Sequence, residues 1–138
     1  MLSRLIYHSQ ATFSDDPAIV KAQLAGITQA SGLHNPANGL SGALVYAGGV
    51  FVQALEGDAG VLTETFWKIK RDPRHRAVTL SEFRPIARRQ FAGWGMRVAT
   101  TSLCGAGALH RLAPAKLLDF IDDTVSAVPS SAASWSGL

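Results

Sequence analysis

The run Gly39-Leu40-Ser41-Gly42-Ala43-Leu44-Val45-Tyr46-Ala47-Gly48-Gly49-Val50-Phe51-Val52-Gln53-Ala54-Leu55-Glu56-Gly57 joins two segments rich in Val, Leu and aromatic residues through Ala47-Gly48-Gly49. Glycine adopts the positive φ that tight hairpin loops demand, so this spacing predicts a β-hairpin. Strand alternation then puts Phe51, Gln53 and Leu55 on one face of the second strand and Val50, Val52 and Ala54 on the other. Gln53 breaks the apolar pattern. Its amide brings two N–H donors and a carbonyl, and each group left unmet in a buried strand costs about 1–3 kcal/mol. Something polar must face Gln53.

Upstream of the hairpin, Leu2 to Ser9 alternates as a strand and leads into a polar loop ending at Asp15-Asp16-Pro17. An aspartate N-cap followed by proline in the first turn predicts a helix, with Val20, Leu24, Ile27 and Ser31 at helical spacing from Pro17 to Gly32. Gly32 to Gly39, with its Asn35-Pro36 and Asn38-Gly39 turn markers, reads as a break. Downstream, Asp58 can cap a second helix whose apolar side is Val61, Leu62, Phe66 and Ile69. Thr65, Lys68 and Asp72 lie together on another side of it, and Asp72-Pro73 ends it. Ala77 to Phe83 reads as a fourth strand, Pro85 to Phe91 as a basic loop and Trp94 to Thr100 as a short fifth strand. Leu103 to Leu112 and Pro114 to Val125 read as two short helices.

The order βαββαββ predicts an α+β fold: a ferredoxin-like sandwich with a mixed five-stranded sheet, two helices on one face and two short C-terminal helices. The groove between the first two helices is then the natural ligand site. The chain divides into a sensory or binding core over residues 1–100, a C-terminal helical extension over 101–127 and a flexible tail over 128–138, where Trp135 is the main apolar anchor.

With 138 residues the chain fits one domain, which buries roughly two-thirds of its unfolded surface. Its 47% hydrophobic and 17% charged residues are those of a globular protein. The net charge of +3 is spread over several segments, so no direct nucleic-acid partner is expected. The single cysteine, Cys104, excludes an intramolecular disulfide and a cysteine zinc cluster, which makes a cytoplasmic location the expectation. No stretch approaches the ~18 apolar residues of a membrane span. GxGxxG, Walker A, GxSxG and HExxH motifs are all missing, so no enzymatic turnover is expected.

Tyr7 on the first strand and Gln53 on the third can occupy neighbouring central strands and face the same helix pair, where phenol and amide could hydrogen-bond. Singly, Tyr7 could as well pack with its hydroxyl at the rim and Gln53 could satisfy a stray backbone group; together they favour a polar ligand. For His34 and Asn35 the plain alternative is turn chemistry, since Asn before Pro closes an Asx turn. Lys68 and Asp72 could be only an exposed i, i+4 ion pair. Trp94 and Met96, two apart on a predicted strand, would share a face and fill core volume.

Taken in order, Leu5-Ile6-Tyr7-His8-Ser9, His34-Asn35, Gly39 to Tyr46, Phe51 to Gly57, Arg71-Asp72-Pro73-Arg74-His75 and Phe91-Ala92-Gly93-Trp94-Gly95-Met96 resemble a BLUF domain, a blue-light sensor using flavin. The resemblance covers about residues 1–100. It implies a ferredoxin-like fold with FAD held between the first two helices, FMN or riboflavin being alternative flavins. It implies Tyr7 as the light-driven electron and proton donor and Gln53 as the glutamine between that tyrosine and the flavin N5 and C4 carbonyl. Asn35 would bind the polar edge of the ring with His34 beside it. Lys68 and Asp72 would hold the ring edge and the ribityl or phosphate end, and Ser9, Trp94 and Met96 would form the shell around the glutamine. Leu40-Ser41 replaces the family's frequent Ile-Thr, and Ala54 stands where some members carry a larger residue. With no effector domain following residue 138, the resemblance implies output through an unidentified downstream signalling protein or through self-association as a homo-oligomer. The alternative reading is a ferredoxin-like small-ligand-binding or acylphosphatase-type protein without photochemistry.

Overall fold

Gly48 and Gly49 take φ values of +52° and +91°, which close a two-residue turn of the twist that matches paired strands. Around that turn, in a computed structural model, β2 (Ser41–Ala47) pairs antiparallel with β3 (Val50–Asp58), Ala47 opposite Val50 and Leu44 opposite Gln53. The structure describes residues 1–101 and 106–127. The expected tail over 128–138, with Trp135, lies outside them, as does Cys104.

The sheet runs β4-β1-β3-β2-β5. β1 (Leu2–Ala11) is central, antiparallel both to β3 and to β4 (His75–Pro85), while β5 (Arg97–Thr101) adds to β2 in parallel. The first four strands therefore form the expected ferredoxin-like sheet, and β5 extends it. α1 (Pro17–Ala37) and α2 (Ala59–Arg71) lie on one face, where Val20, Leu24, Ile27 and Leu62 pack with Leu5, Tyr7, Phe51 and Leu55. α3 (Pro114–Ser126) covers the opposite face, burying Leu117, Leu118, Ile121 and Val125 against Val45, Val52, Ala54 and Ala99. Between β5 and α3 the described chain makes a 3₁₀ turn, Ala106–Arg111, where a helix is expected over 103–112; residues 103–105 of that span are not described.

Both helix starts follow their capping residues. Asp16 accepts from the Ala18 N–H at 2.9 Å with Pro17 in the first turn, and Asp58 accepts from the Gly60 N–H at 3.1 Å. α1 departs from expectation at its other end. It continues past Gly32 to Ala37, with Pro36 inside its last turn, so Asn35 is helical rather than part of a turn. Pro36 has no N–H to give the Gly32 carbonyl, but the carbonyls of the last turn are met: the Asn38 side-chain amide donates to the His34 carbonyl at 2.7 Å and the Leu40 N–H to the Asn35 carbonyl at 2.8 Å. Gly39 then takes φ +68° and turns the chain into β2.

β2 passes β3 so closely that a Cβ on Gly42 would sit 2.2 Å from the Ala54 carbonyl oxygen. Backbone cannot yield as a side-chain tip can. Gly42→Ala is expected to cost about 1–3 kcal/mol, read as a lowered urea midpoint with unchanged slope.

Candidate functional site

Tyr7 and Gln53 are direct register partners across β1 and β3, so their side chains rise from the same face of the two central strands. The Tyr7 hydroxyl donates a short hydrogen bond to Gln53 Oε1, and Gln53 Nε2 lies 3.5 Å from Met96 Sδ. Tyr7 is 1% exposed and Gln53 5%. Burial, with the Asp72 carboxylate, pushes the Tyr7 phenol far above its ordinary pKa, so it keeps its proton at every accessible pH. A neutral phenol thus donates a hydrogen bond to a primary amide whose own N–H₂ has only a weak thioether acceptor beside it. Donor capacity is left over at the wall of a groove.

That groove, about 250 Å³, runs between α1 and α2 over β1 and β3. Ile27, Ser31, His34 and Asn35 line it from α1, and Thr65, Lys68 and Ile69 from α2. His34 Nε2 lies 3.2 Å from Thr65 Oγ1, bridging the two helices, and Asn35 Nδ2 donates to the Gly95 carbonyl at 2.6 Å. Asp72, Arg74 and His75 line it beyond the end of α2. Asp72 is paired with Arg74 rather than Lys68: Arg74 Nη2 and Nε reach its carboxylate at 2.6 and 3.0 Å. Burial raises the Asp72 carboxyl, but these hydrogen bonds and the guanidinium charge outweigh it and hold it below the usual range.

His75 received no role from the sequence beyond its place in the quoted motif, yet it lines the same groove. Its ring lies 6.0 Å edge-on from Tyr7 and 4.6 Å from Phe51, and Nδ1 is 2.8 Å from Ser9 Oγ. Burial is the main cause that lowers its pKa to about 4; Arg74 adds to this and Asp72 opposes it. Because the folded pKa lies below the unfolded value, the unfolded chain takes up a proton first as pH falls. His75 therefore leaves stability intact above about pH 6.5 and removes up to about 3 kcal/mol between there and pH 4. His75→Gln is expected to flatten that part of the stability profile, measured by urea unfolding at stepped pH.

The structure gathers most of the expected site residues and separates two. Tyr7, His34, Asn35, Gln53, Lys68 and Asp72 line one groove, with Met96 on Gln53. Ser9 is buried but engages His75 and not the glutamine. Trp94 is a correction: β5 begins at Arg97, and Gly93 at φ +84° turns the preceding segment, so Trp94 and Met96 do not share a strand face. Trp94 goes to the α3 side, against Phe91 at 5.6 Å with the Arg97 guanidinium 4.1 Å from its ring, while Met96 goes to the helix α1 and α2 side. Sequence reasoning also missed Arg74, although an Asp-Pro-Arg run just past a helix carries the signal of a charge pair at its end.

A buried carboxylate positions the segment that delivers Met96. Glu56, fully buried on β3, accepts from the Gln90 N–H at 2.6 Å, the Phe91 N–H at 3.0 Å and the Ser41 hydroxyl at 2.9 Å. Arg89 adds bonds to the Gly39 and Glu56 carbonyls at 2.7 and 3.1 Å.

Fold and site together define a ferredoxin-like domain whose groove carries a hydrogen-bonded phenol and amide. The sequence profile of the family described as Sensors of blue-light using FAD matches residues 2–97, and the chain belongs to this BLUF family. It is a blue-light-sensing domain of the kind that binds FAD. Over 103 residues, 74% of the chain, it is 33% identical to the photoactivated adenylate cyclase subunit beta of Euglena longa, spanning 12% of that relative's length. Among solved structures it resembles BlsA in its photo-activated state, with TM-score 0.78 and 26% identity, covering 90% of this chain and 94% of that one. It also resembles the BLUF protein BlrB in its dark state, with TM-score 0.66 and 29% identity, covering 99% and 97%.

The groove fits the flavin on the chain's own terms. Spare amide donors at Gln53 suit a ring edge of carbonyls and ring nitrogens, and the Lys68 ammonium suits a phosphate-bearing tail, while the Arg74 guanidinium is paired with Asp72. Among the described residues no helix is long and apolar enough to cross a membrane.

Proposed function

We propose that residues 1–100 form a photosensory module in which Tyr7, Gln53 and Met96 are the switching relay and His34, Asn35, Lys68 and Asp72 hold the flavin. Bound FAD supplies a ring that absorbs blue light, becomes a strong oxidant when excited and reports changes in hydrogen bonding at its edge as a shift of its absorption band. The chain supplies the proton path. The Tyr7 hydroxyl already donates to Gln53 Oε1. Once Tyr7 had given up an electron to the excited ring, its phenol would be acidic enough to pass that proton to Oε1. Loss of one Nε2 proton toward the groove would balance it as the imidic tautomer, which could turn about the Cγ–Cδ bond, and return of the electron and proton would restore the phenol. Rotation takes Nε2 away from Met96 Sδ and exchanges which end of the amide faces the groove.

The single observation that carries this reading is the continuous contact from Tyr7 through Gln53 to Met96, one residue before β5. β5 packs against α3, so a change at Met96 has a physical route to the opposite face of the sheet. Output then passes to a separate signalling protein, or to a second copy of the chain, through the surface formed by β5 and the extension over 101–127, with no turnover by this domain itself. A cytoplasmic setting suits that role, and FMN or riboflavin could occupy the same ring site.

The test is an absorption spectrum of the purified protein before and after blue light, followed to recovery in darkness. A flavin band that moves to the red and returns is expected. A protein that stays colourless after flavin reconstitution, or a flavin band that light leaves unmoved, would overturn the reading.

A further inference from the structure

A second cavity, about 290 Å³, opens on the face of the sheet opposite the flavin groove. His8 and His110 line it, the first from β1 and the second from the 3₁₀ turn, with ring centroids 6.3 Å apart. Gln10 and Thr79 add an amide and a hydroxyl, and no carboxylate is among its lining residues. Two arginines neighbour its lining residues. Arg76 stands opposite Gln10 in the β1–β4 register, and Arg111 follows His110. Of the acids on this side, Glu82 is paired with Arg4 at 2.8 Å, and α3 carries Asp119, Asp122 and Asp123 along with Lys116. β3 contributes only Val50. The remaining wall is Ser9, whose hydroxyl lies 2.8 Å from His75 Nδ1, and Ala77, held at φ +51° where the β1–β4 register shifts.

We propose that this cavity binds a small oxyanion of the carboxylate or sulfate and phosphate class, gripped by the His8 and His110 imidazoles with uptake of a proton. His8, His110 and Gln10 can each donate a hydrogen bond into the cavity, the Thr79 hydroxyl donating to the Ala77 carbonyl at 3.2 Å and the Ser9 hydroxyl being bonded to His75, and the neighbouring arginines favour a negative guest over a cation. Burial and the neighbouring His110 hold His8 below its usual pKa. An anion between the rings removes the repulsion and stabilises the imidazolium form. The site is independent of the flavin groove and stands whether or not the light relay operates as described.

The experiment follows the Cε1–H resonances of His8 and His110 by NMR across pH 5–8, on the full flavin-loaded chain in the dark. Sulfate and acetate are compared with chloride at equal ionic strength. Both titration midpoints are expected to rise by about one pH unit with either oxyanion, as a tenfold tighter grip on the protonated form requires, while His34 stays put. His110→Gln, at an exposed position that leaves the core intact, is expected to abolish the His8 response. Equal midpoints in sulfate, acetate and chloride would overturn the proposal, as would an undiminished His8 response in the His110→Gln protein.

Discussion

In the Tyr7→Phe protein, blue light is expected to leave the flavin absorption band where it stands in darkness, with the reversible red shift lost altogether. The substitution removes one oxygen from a side chain that is 1% exposed, leaving the ring packed against Phe66 and His75. Packing therefore changes little, and flavin content should stay near that of the parent. What disappears is the O–H that donates to Gln53 Oε1, and with it the proton that a switched amide requires. The amide also loses its fixed orientation, because its remaining contact is a thioether at 3.5 Å. Steady-state difference spectra under saturating blue light make the measurement. A persistent reversible shift in Tyr7→Phe would remove Tyr7 from the relay while leaving flavin binding untouched.

The largest expected effect on stability comes from Glu56. Its carboxylate accepts three hydrogen bonds in full burial, and two of the donors are backbone amides that cannot swing away. Glu56→Gln keeps the volume but replaces an acceptor oxygen by N–H₂, so two donors meet at either Ser41 with Phe91 or at Gln90. Losing a charge-assisted bond and leaving a buried donor unmet is expected to cost about 3 kcal/mol, or a Tm drop of roughly 10 °C for a chain of this size. The same variant should slacken the 90–96 segment and broaden the Met96 methyl resonance. A Tm within about 2 °C of the parent would show that the carboxylate is not the anchor described.

Much of this was legible in the sequence because local signals and global topology agree. Asp16-Pro17, Asp58 and the Gly48-Gly49 pair each announce a boundary by their own chemistry, and each boundary lies where that chemistry puts it. Gln53 stood out as a polar residue in an apolar strand, and its register partner proved to be Tyr7. The failures have a common physical cause. Pro36 argues locally for a break, but side-chain and backbone bonds from Asn38 and Leu40 carry α1 one turn further. Trp94 and Met96 look like alternating strand residues, but the glycine turn between Phe91 and Gly95 and the tertiary grip of Glu56 decide where they point. His75 became visible only when the end of α2 met β1 in space, where Ser9 and Tyr7 face it. Hydrogen-bond partners remote in sequence leave no periodic trace along it.

The segment from Gln90 to Met96 is pinned at more points than a loop of its length needs. Glu56 holds the amides at its start, Gly42 donates to the Trp94 carbonyl at 3.1 Å, and Asn35 takes the Gly95 carbonyl. Such a segment has no slack. It cannot swing as a lid does, so in the proposed relay a push or release at Met96 would pass into Arg97 and the outer strand as a small twist. A mechanism of that kind behaves as a latch with a short throw: it resets by one amide turning back, without any stretch of chain having to refold.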